Sequence, residues 1–167
     1  MDIGLLLLRL LLSGLLFGHG AQKMFGWYGG FGPKGTATVF EPWGFRPGKP
    51  LVVLAAFCEM TAAALMALGL LSALGAAMGL GTMAVAASVN VSKGIWAQAG
   101  GYELALVYGV LAAALGFTGP GQWSLDHVLG LEGLTGARPG GAAVALGLVT
   151  ALCLIGYAAR NRRRRPA

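Results

Sequence analysis

Long runs of apolar residues without a charge dominate this sequence. From Pro50 to Ser92 there are 43 residues with a single charge, Glu59. A helix needs about 20 residues to cross a hydrocarbon core of about 30 Å, so this run predicts two spanning helices. Leu104 to Leu125 gives 22 uncharged residues and Pro139 to Ala159 gives 21, and each predicts one more span. Only 11% of the chain is charged, against roughly 25% in an average soluble domain.

The N-terminal segment is a further apolar run, from Ile3 to about Phe25, interrupted by Arg9 and His19. A cleaved signal peptide begins with positive charge and ends in a small-residue cleavage site, whereas Arg9 lies among the leucines, so we expect a spanning helix. The sequence therefore predicts an all-α membrane protein. We expect a core, 1–125, of four transmembrane helices at about 3–25, 51–70, 73–92 and 102–118, then a loop and a fifth transmembrane helix in 126–159, at about 141–159, and a basic tail, 160–167.

The distribution of basic residues predicts the orientation of the chain in a cell membrane, because Lys and Arg accumulate in short cytoplasmic connections. With the N-terminus outside, only Arg138 falls on the outer side. The ten basic residues on the cytoplasmic side are Lys23, Lys34, Arg46, Lys49, Lys93, Arg160 and Arg162 to Arg165. The basic tail is attracted to anionic lipid at the leaflet it touches, and we expect no nucleic-acid binding.

Two loops are also informative, one rich in aromatic residues and the other in polar residues. The inner loop from Gly26 to Lys49 is rich in aromatic residues that favour the headgroup region, so we expect an interfacial anchor. A short helical stretch at Thr36, stopped by Pro42, is the basis for an alternative, a lid over the inner end of the bundle. In the outer loop Asp126, His127 and Glu132 predict a solvated segment.

Polar residues inside the spans are the candidates for function, because each charge costs about 2.5 to 3.5 kcal/mol to insert and tends to face the bundle interior. A step of 100° per residue places Arg9, His19 and Lys23 on one broad face of the first helix. Glu59 lies about 12 Å inside from Leu51, where Arg9 could pair with it from one side and Lys23 from the other. The predicted inner pocket is formed by Arg9, His19, Lys23, Glu59, Asn90 and Glu103.

Each of these residues also has a purely structural interpretation. Glu103 matches the charge preferred at a helix N-terminus, Lys23 is typical of a boundary residue, and Arg9 with Glu59 could form only a structural ion pair. His19 has no second intramembrane histidine with which to ligate a haem iron. Cys58 and Cys153 lack the spacing of a redox or metal motif, so we expect neither a disulfide nor a metal site.

Three stretches of sequence resemble the DoxX family of small bacterial membrane proteins. They are LLRLLLSGLLFGHGAQKMFG at residues 7–26, Cys-Glu-Met at 58–60, and AGGYELAL at 99–106. The resemblance covers roughly residues 4–125 and implies a four-helix membrane bundle, beyond which lie the fifth helix and the tail. The positions that match the family pattern are Arg9, His19, Lys23, Glu59, Gly101 and Glu103.

The resemblance implies a membrane redox role, since some relatives are associated with thiosulfate:quinone oxidoreductases or with membrane complexes that handle oxidative stress. We expect a subunit of a bacterial inner-membrane oxidoreductase system without an intrinsic cofactor, in which the pocket takes a quinone and Glu59 or Glu103 serves as proton donor. Its expected partners are the lipid bilayer, a soluble or membrane redox protein and a second copy of the chain. Two alternatives stay open: a non-catalytic subunit or assembly factor, and a small proton-coupled transporter.

Overall fold

A computed structural model describes residues 2–164, and it contains helices and connecting turns but no β-strand within that range. The helices are α1 (Asp2–Phe25), α2 (Gly32–Phe40), α3 (Gly48–Leu68), α4 (Ser72–Asn90), α5 (Glu103–Thr118), α6 (Leu125–Val128) and α7 (Ala137–Arg163). Short 3-10 turns occupy Val91–Lys93, Ala97–Ala99 and Glu132–Leu134. Arg165 of the predicted basic tail lies outside the described residues.

Four of the described helices are long and apolar enough to cross a membrane: α1, α3, α4 with its extension to Lys93, and α7. The fifth apolar helix, α5, has 16 residues, which corresponds to about 24 Å and is shorter than a hydrocarbon core of about 30 Å. Gly119, with φ of 75°, ends α5, and Pro120 follows it. The predicted all-α membrane fold, with a four-helix core and a fifth C-terminal helix, is confirmed.

The five long helices run antiparallel along the chain, so the bundle has two ends. The Arg9 end holds the start of α1, the turn between α3 and α4, and residues 119–136. The Lys23 end holds the end of α1, the segment containing α2, the loop 91–102 and the end of α7. Helix α4 is central, because it packs against α3, α5 and α7, while α1 packs mainly on α3.

Small residues allow the helices to approach one another closely. A Cβ atom added at Gly20 of α1 would lie 2.6 Å from Met60 Cγ and 3.1 Å from the Ala56 carbonyl oxygen on α3. A Cβ atom added at Gly147 of α7 would lie 2.6 Å from the Ala77 carbonyl oxygen on α4. Without a hydrophobic driving force between helices in lipid, such close backbone packing supplies much of the association energy.

The turn between α3 and α4 is held by Asp126, which is only 1% exposed. Its carboxylate accepts hydrogen bonds from Leu71 N at 2.7 Å, Ser72 N at 3.0 Å and Ser72 Oγ at 2.8 Å. A carboxylate at a helix N-terminus satisfies free N–H groups and complements the helix dipole. The expectation that Asp126 is solvated is therefore wrong, whereas His127 and Glu132 do form an exposed pair at 2.9 Å.

Candidate functional site

A cavity of about 510 Å³ lies near the Lys23 end, between α3, α4 and α7. Helices α3 and α4 contribute most of its walls, and the side of α4 that faces away from α5 forms its back. Helix α7 contributes Leu146, Thr150, Ala151 and Leu154, of which three recur every four residues and so share one face. The lining is predominantly apolar, so the cavity suits a molecule that partitions into the bilayer.

Three aromatic side chains close the cavity at the Lys23 end. Phe40 ends α2, and Trp43 and Phe45 lie in the connection to α3; all three line the cavity. We call these three residues the aromatic cover. Other aromatic residues of the same loop, Trp27 and Phe31, are exposed, as an interfacial anchor would be. The loop thus combines the two interpretations drawn from the sequence, with its second half in the position of a lid.

The charged part of the cavity wall is an ion pair between Lys23 and Glu59. The Nζ atom of Lys23 lies 2.7 Å from Oε2 and 2.9 Å from Oε1 of Glu59. The Glu59 side chain is 3% exposed and the Lys23 side chain 20%. Their meeting follows from the close crossing at Gly20, since helical side chains lean toward the N-terminus and the Lys23 stem therefore points back toward Glu59.

The other polar groups on the cavity wall are uncharged. Asn90 lies at the Lys23 end and donates its amide to the Ala86 carbonyl oxygen at 3.2 Å. The Thr82 and Thr150 hydroxyls each donate to carbonyls one turn earlier in their own helices. Cys58, next to Glu59, presents a thiol. Lys23 and Glu59 are therefore the charged residues among those that line the cavity.

Arg9 lies at the opposite end of the bundle, where it donates hydrogen bonds to backbone carbonyls and does not pair with Glu59. Its guanidinium donates to Met66 O and Ala67 O at 2.9 Å each, to Pro120 O at 2.5 Å and to Trp123 O at 3.0 Å. The predicted Arg9–Glu59 pair is wrong. Eleven residues of helix, about 16 Å, separate Arg9 from Gly20, where α1 meets the Glu59 region, and a side chain cannot bridge that distance.

His19 and Glu103 also lie outside the set of residues that line the cavity. The His19 ring packs 5.9 Å from the ring of Tyr108 on α5. Glu103 begins α5, and its Oε2 accepts a hydrogen bond from Ala97 N at 2.9 Å, so it ties the preceding loop together. A Cβ atom added at Gly101 would collide with the backbone of Ile95, as expected of a tight turn. That turn nevertheless directs Glu103 to its own loop and not to the cavity.

Of the six residues predicted to form one pocket, the structure thus brings three together at the cavity: Lys23, Glu59 and Asn90. The sequence interpretation missed the α7 wall and the aromatic cover as cavity residues. The spacing of Leu146, Thr150 and Leu154 was the available signal for α7, because a polar residue on an apolar face marks the side that meets other protein groups.

The cavity opens sideways between α3 and α7. Leu54 of α3 and Thr150 of α7 both line it and are exposed, which marks a gap between these two helices. A second apolar groove of about 340 Å³ continues toward the Arg9 end and shares Ala77 and Leu146 with the cavity. The two spaces therefore follow the same side of α4 and α7.

Comparisons with known proteins agree with the bundle. The model of the DoxX family matches residues 4–92, which are 89 of the 167 residues and include Arg9, Lys23 and Glu59. No curated protein and no solved structure matches the chain. The matched region spans α1 to α4, including the aromatic cover and the Lys23–Glu59 pair. With more than half of its length matched to this model, the chain belongs to the DoxX family.

Proposed function

We propose that the protein binds a quinone in the cavity between α3, α4 and α7, as the membrane subunit of a quinone-linked redox system. The observation that carries this proposal is the placement of the Lys23–Glu59 pair on the wall of a large apolar cavity. Charged side chains within spanning helices are costly, and in membrane proteins they mark candidate functional sites.

The donor set of the cavity suits the head group of a quinone. An ammonium group has three N–H donors, and Glu59 takes two of those of Lys23. The third is directed toward the His19 carbonyl oxygen, 3.5 Å away, which is the longest of these contacts. A ligand carbonyl would replace that contact, while the apolar walls would hold the ring and exclude water.

The ion pair also provides a place for protons. A quinone supplies two-electron chemistry that consumes two protons when it is reduced to the hydroquinone. Lys23 would donate a proton from Nζ to the ligand, and the Glu59 carboxylate, which accepts hydrogen bonds from the same nitrogen, would hold that ammonium in place. Each proton that the quinone takes up would be replaced on Nζ from water at the Lys23 end. Electrons for this reduction would come from the partner protein of the proposed redox system.

The second groove would accommodate the tail of such a ligand. It is lined by apolar residues of α4 and α7, by Leu71 and by Leu134, and it meets the cavity at Ala77 and Leu146. An isoprenoid tail needs an apolar path that leads from the head group into the bilayer. The gap between α3 and α7 would allow the ligand to enter from the membrane, without passing through water.

We further propose that the Lys23 end faces the cytoplasm and that the N-terminus lies outside. The supporting observation is that Lys23, Lys34, Arg46, Lys49 and the arginines that end α7 belong to this end, as expected for a cytoplasmic side. A cytoplasmic redox partner would then approach the side of the bundle that holds the aromatic cover.

A second candidate function is a non-catalytic membrane subunit whose ion pair only holds the bundle together. It is favoured by one observation, that Lys23 satisfies both oxygens of Glu59 without any ligand. In that case removal of the pair would reduce the free energy of unfolding but would not release any bound molecule.

Quantification of bound quinone tests the proposal. The protein would be purified in discs of native lipid, extracted, and assayed for quinone by mass spectrometry relative to protein. We expect near-stoichiometric quinone in the natural protein and background quinone in folded Glu59→Gln. Glu103→Gln is the matched control, because it removes the same charge at the same end but outside the cavity. Background quinone in all three proteins would contradict the proposal, and equal loss in both variants would contradict the assignment to the cavity.

A further inference from the structure

The aromatic cover is bonded to the C-terminal helix. The Nδ2 atom of Asn161 on α7 donates to the Gly44 carbonyl oxygen at 3.0 Å, and the Tyr157 hydroxyl donates to the Arg46 carbonyl oxygen. These acceptors belong to the connection between α2 and α3, and they alternate with Phe45, which lines the cavity. Two side chains one helical turn apart on α7 thus donate hydrogen bonds to the backbone of the cover.

Gly44 brings the cover into direct contact with the α7 backbone. Its φ is 92°, a conformation that L residues with a side chain rarely adopt. A Cβ atom added there would collide with the carbonyl group of Ala158 and would lie 2.9 Å from Cγ of Arg162. The cover cannot move away from the cavity without separating this contact and breaking the two hydrogen bonds.

Because Trp43 and Phe45 flank Gly44 and both line the cavity, a displacement of Gly44 moves two of the three cover residues together. Helix α7 contributes to the same cavity one to two turns earlier, through Thr150 and Leu154. Helix α7 therefore has two roles at the site: it forms part of the cavity wall, and it binds the cover. This helix lies outside residues 4–92, which match the family model.

We propose that Tyr157 and Asn161 are positioning residues that hold the aromatic cover closed over the Lys23 end of the ligand cavity. When their hydrogen bonds to the Arg46 and Gly44 carbonyls break, the cover opens and the buried side of the Lys23–Glu59 pair becomes more accessible to water and to a partner at that end. The identity of the ligand rests on the proposed function, whereas the closure of the cavity by α7 does not.

The thiol of Cys58 reports whether the cover is open, because Cys58 lines the cavity. The second cysteine, Cys153, is exposed and would be replaced in a Cys153→Ala background. A charged, membrane-impermeant thiol reagent cannot enter from the lipid between α3 and α7, so it must reach Cys58 past the cover. Its labelling rate, measured by intact mass in lipid discs, then follows the fraction of molecules with an open cover.

The variants to compare are Tyr157→Phe, Asn161→Leu and the combination of the two. The loss of one hydrogen bond should shift the equilibrium between closed and open cover about fivefold. We therefore expect labelling about fivefold faster for either single variant and roughly 25-fold faster for the double variant. Tyr28→Phe, which removes an exposed hydroxyl of the same loop, is the matched control and should label like the background protein.

Gly44→Ala tests the same contact without changing any residue of α7. It should separate the cover from Ala158 and accelerate labelling even if other contacts compensate for the lost hydrogen bonds. Each variant must retain its unfolding transition, so that labelling of unfolded protein is excluded. Labelling at the background rate in the double variant and in Gly44→Ala would overturn the proposal. So would labelling of the background protein as fast as that of a free thiol.

This experiment uses no quinone, so its outcome is separate from that of the proposed function. Faster labelling together with an absence of co-purified quinone would retain the closure and reject the ligand. Where quinone does bind, the double variant should exchange it faster with added quinone while the Lys23–Glu59 pair is intact. A merely structural role of Tyr157 and Asn161 would lower the unfolding temperature but leave the labelling of the folded protein unchanged.

Discussion

Removing Lys23 and Glu59 singly and together separates the stability of the bundle from its ligand binding. Lys23→Met leaves the Glu59 carboxylate buried, with 3% of its side chain exposed and without either of its two hydrogen bonds. Breaking a buried pair from one side costs about 3 to 5 kcal/mol, and we expect about 3 kcal/mol here because the Lys23 side chain is 20% exposed, so the pair is not fully buried.

Glu59→Met should cost less, about 2 kcal/mol, since the long stem of Lys23 allows its ammonium to reach the surface. The double variant Lys23→Met/Glu59→Met removes both charges and replaces them with apolar side chains, a change that is often neutral. We therefore expect the double variant to lie within about 1 kcal/mol of the natural protein and the coupling energy to be at least about 4 kcal/mol.

The assay is reversible unfolding in mixed micelles with increasing fractions of denaturing detergent, followed by circular dichroism. Additive losses in the two single variants, with a coupling below about 0.5 kcal/mol, would refute the reasoning that the two charges compensate each other. Because the double variant is expected to be stable, its quinone content shows whether the ion pair is needed for ligand binding. If it retains quinone, the pair has only a structural role; loss of quinone from a stable protein supports the proposed site.

Further variants test other parts of the bundle by the same unfolding and ligand measurements. Arg9→Gln should lower the free energy of unfolding by about 3 kcal/mol, because it leaves buried carbonyls without donors, and should leave quinone retention unchanged. Gly20→Ala should cost about 1 to 3 kcal/mol through its collision with α3, and loss of less than half of that would contradict the close crossing. Gly14→Ala is its control, since no atom of another helix lies within 4 Å of the added Cβ, and it should be neutral or stabilising by up to about 1 kcal/mol. Ala142→Phe, placed in the second groove, should weaken retention of a long-tailed quinone several-fold but not that of a tail-less analogue; equal effects on both would show that the tail lies elsewhere.

The fold could be predicted from the sequence because helix length and apolarity are local properties that the bilayer selects strongly. The Lys23–Glu59 contact was within reach for the same reason, since a carboxylate in a span must find a nearby partner. The sequence could not decide whether Lys23 or Arg9 pairs with Glu59. That choice depends on the level in the membrane at which α1 crosses α3, and this level is set by the fit of Gly20 against Met60. Sequence spacing gives the face of a residue but not its depth relative to a neighbouring helix.

The role of Asp126 illustrates a second limit. In the sequence it is one of several polar residues in a loop, where solvation is the ordinary outcome. Its burial depends on residues 119–128 folding back onto the turn between α3 and α4, where Asp126 N also donates to the Gly69 carbonyl oxygen at 2.8 Å. Contacts between segments more than 50 residues apart leave no local pattern, so neither this cap nor the carbonyl contacts of Arg9 could be foreseen.

The cap at Asp126 has a consequence for the order in which the chain assembles. Helices α3 and α4 are synthesised as a hairpin, and its turn places Leu71 at φ of 46°, a conformation unfavourable for leucine. The carboxylate that bonds Leu71 and Ser72 lies 55 and 54 residues further along the chain. The turn can therefore be capped only after α5 and the loop that follows it have taken their places beside the hairpin. Completion of the bundle is in this sense a late event, decided by a residue far along the chain.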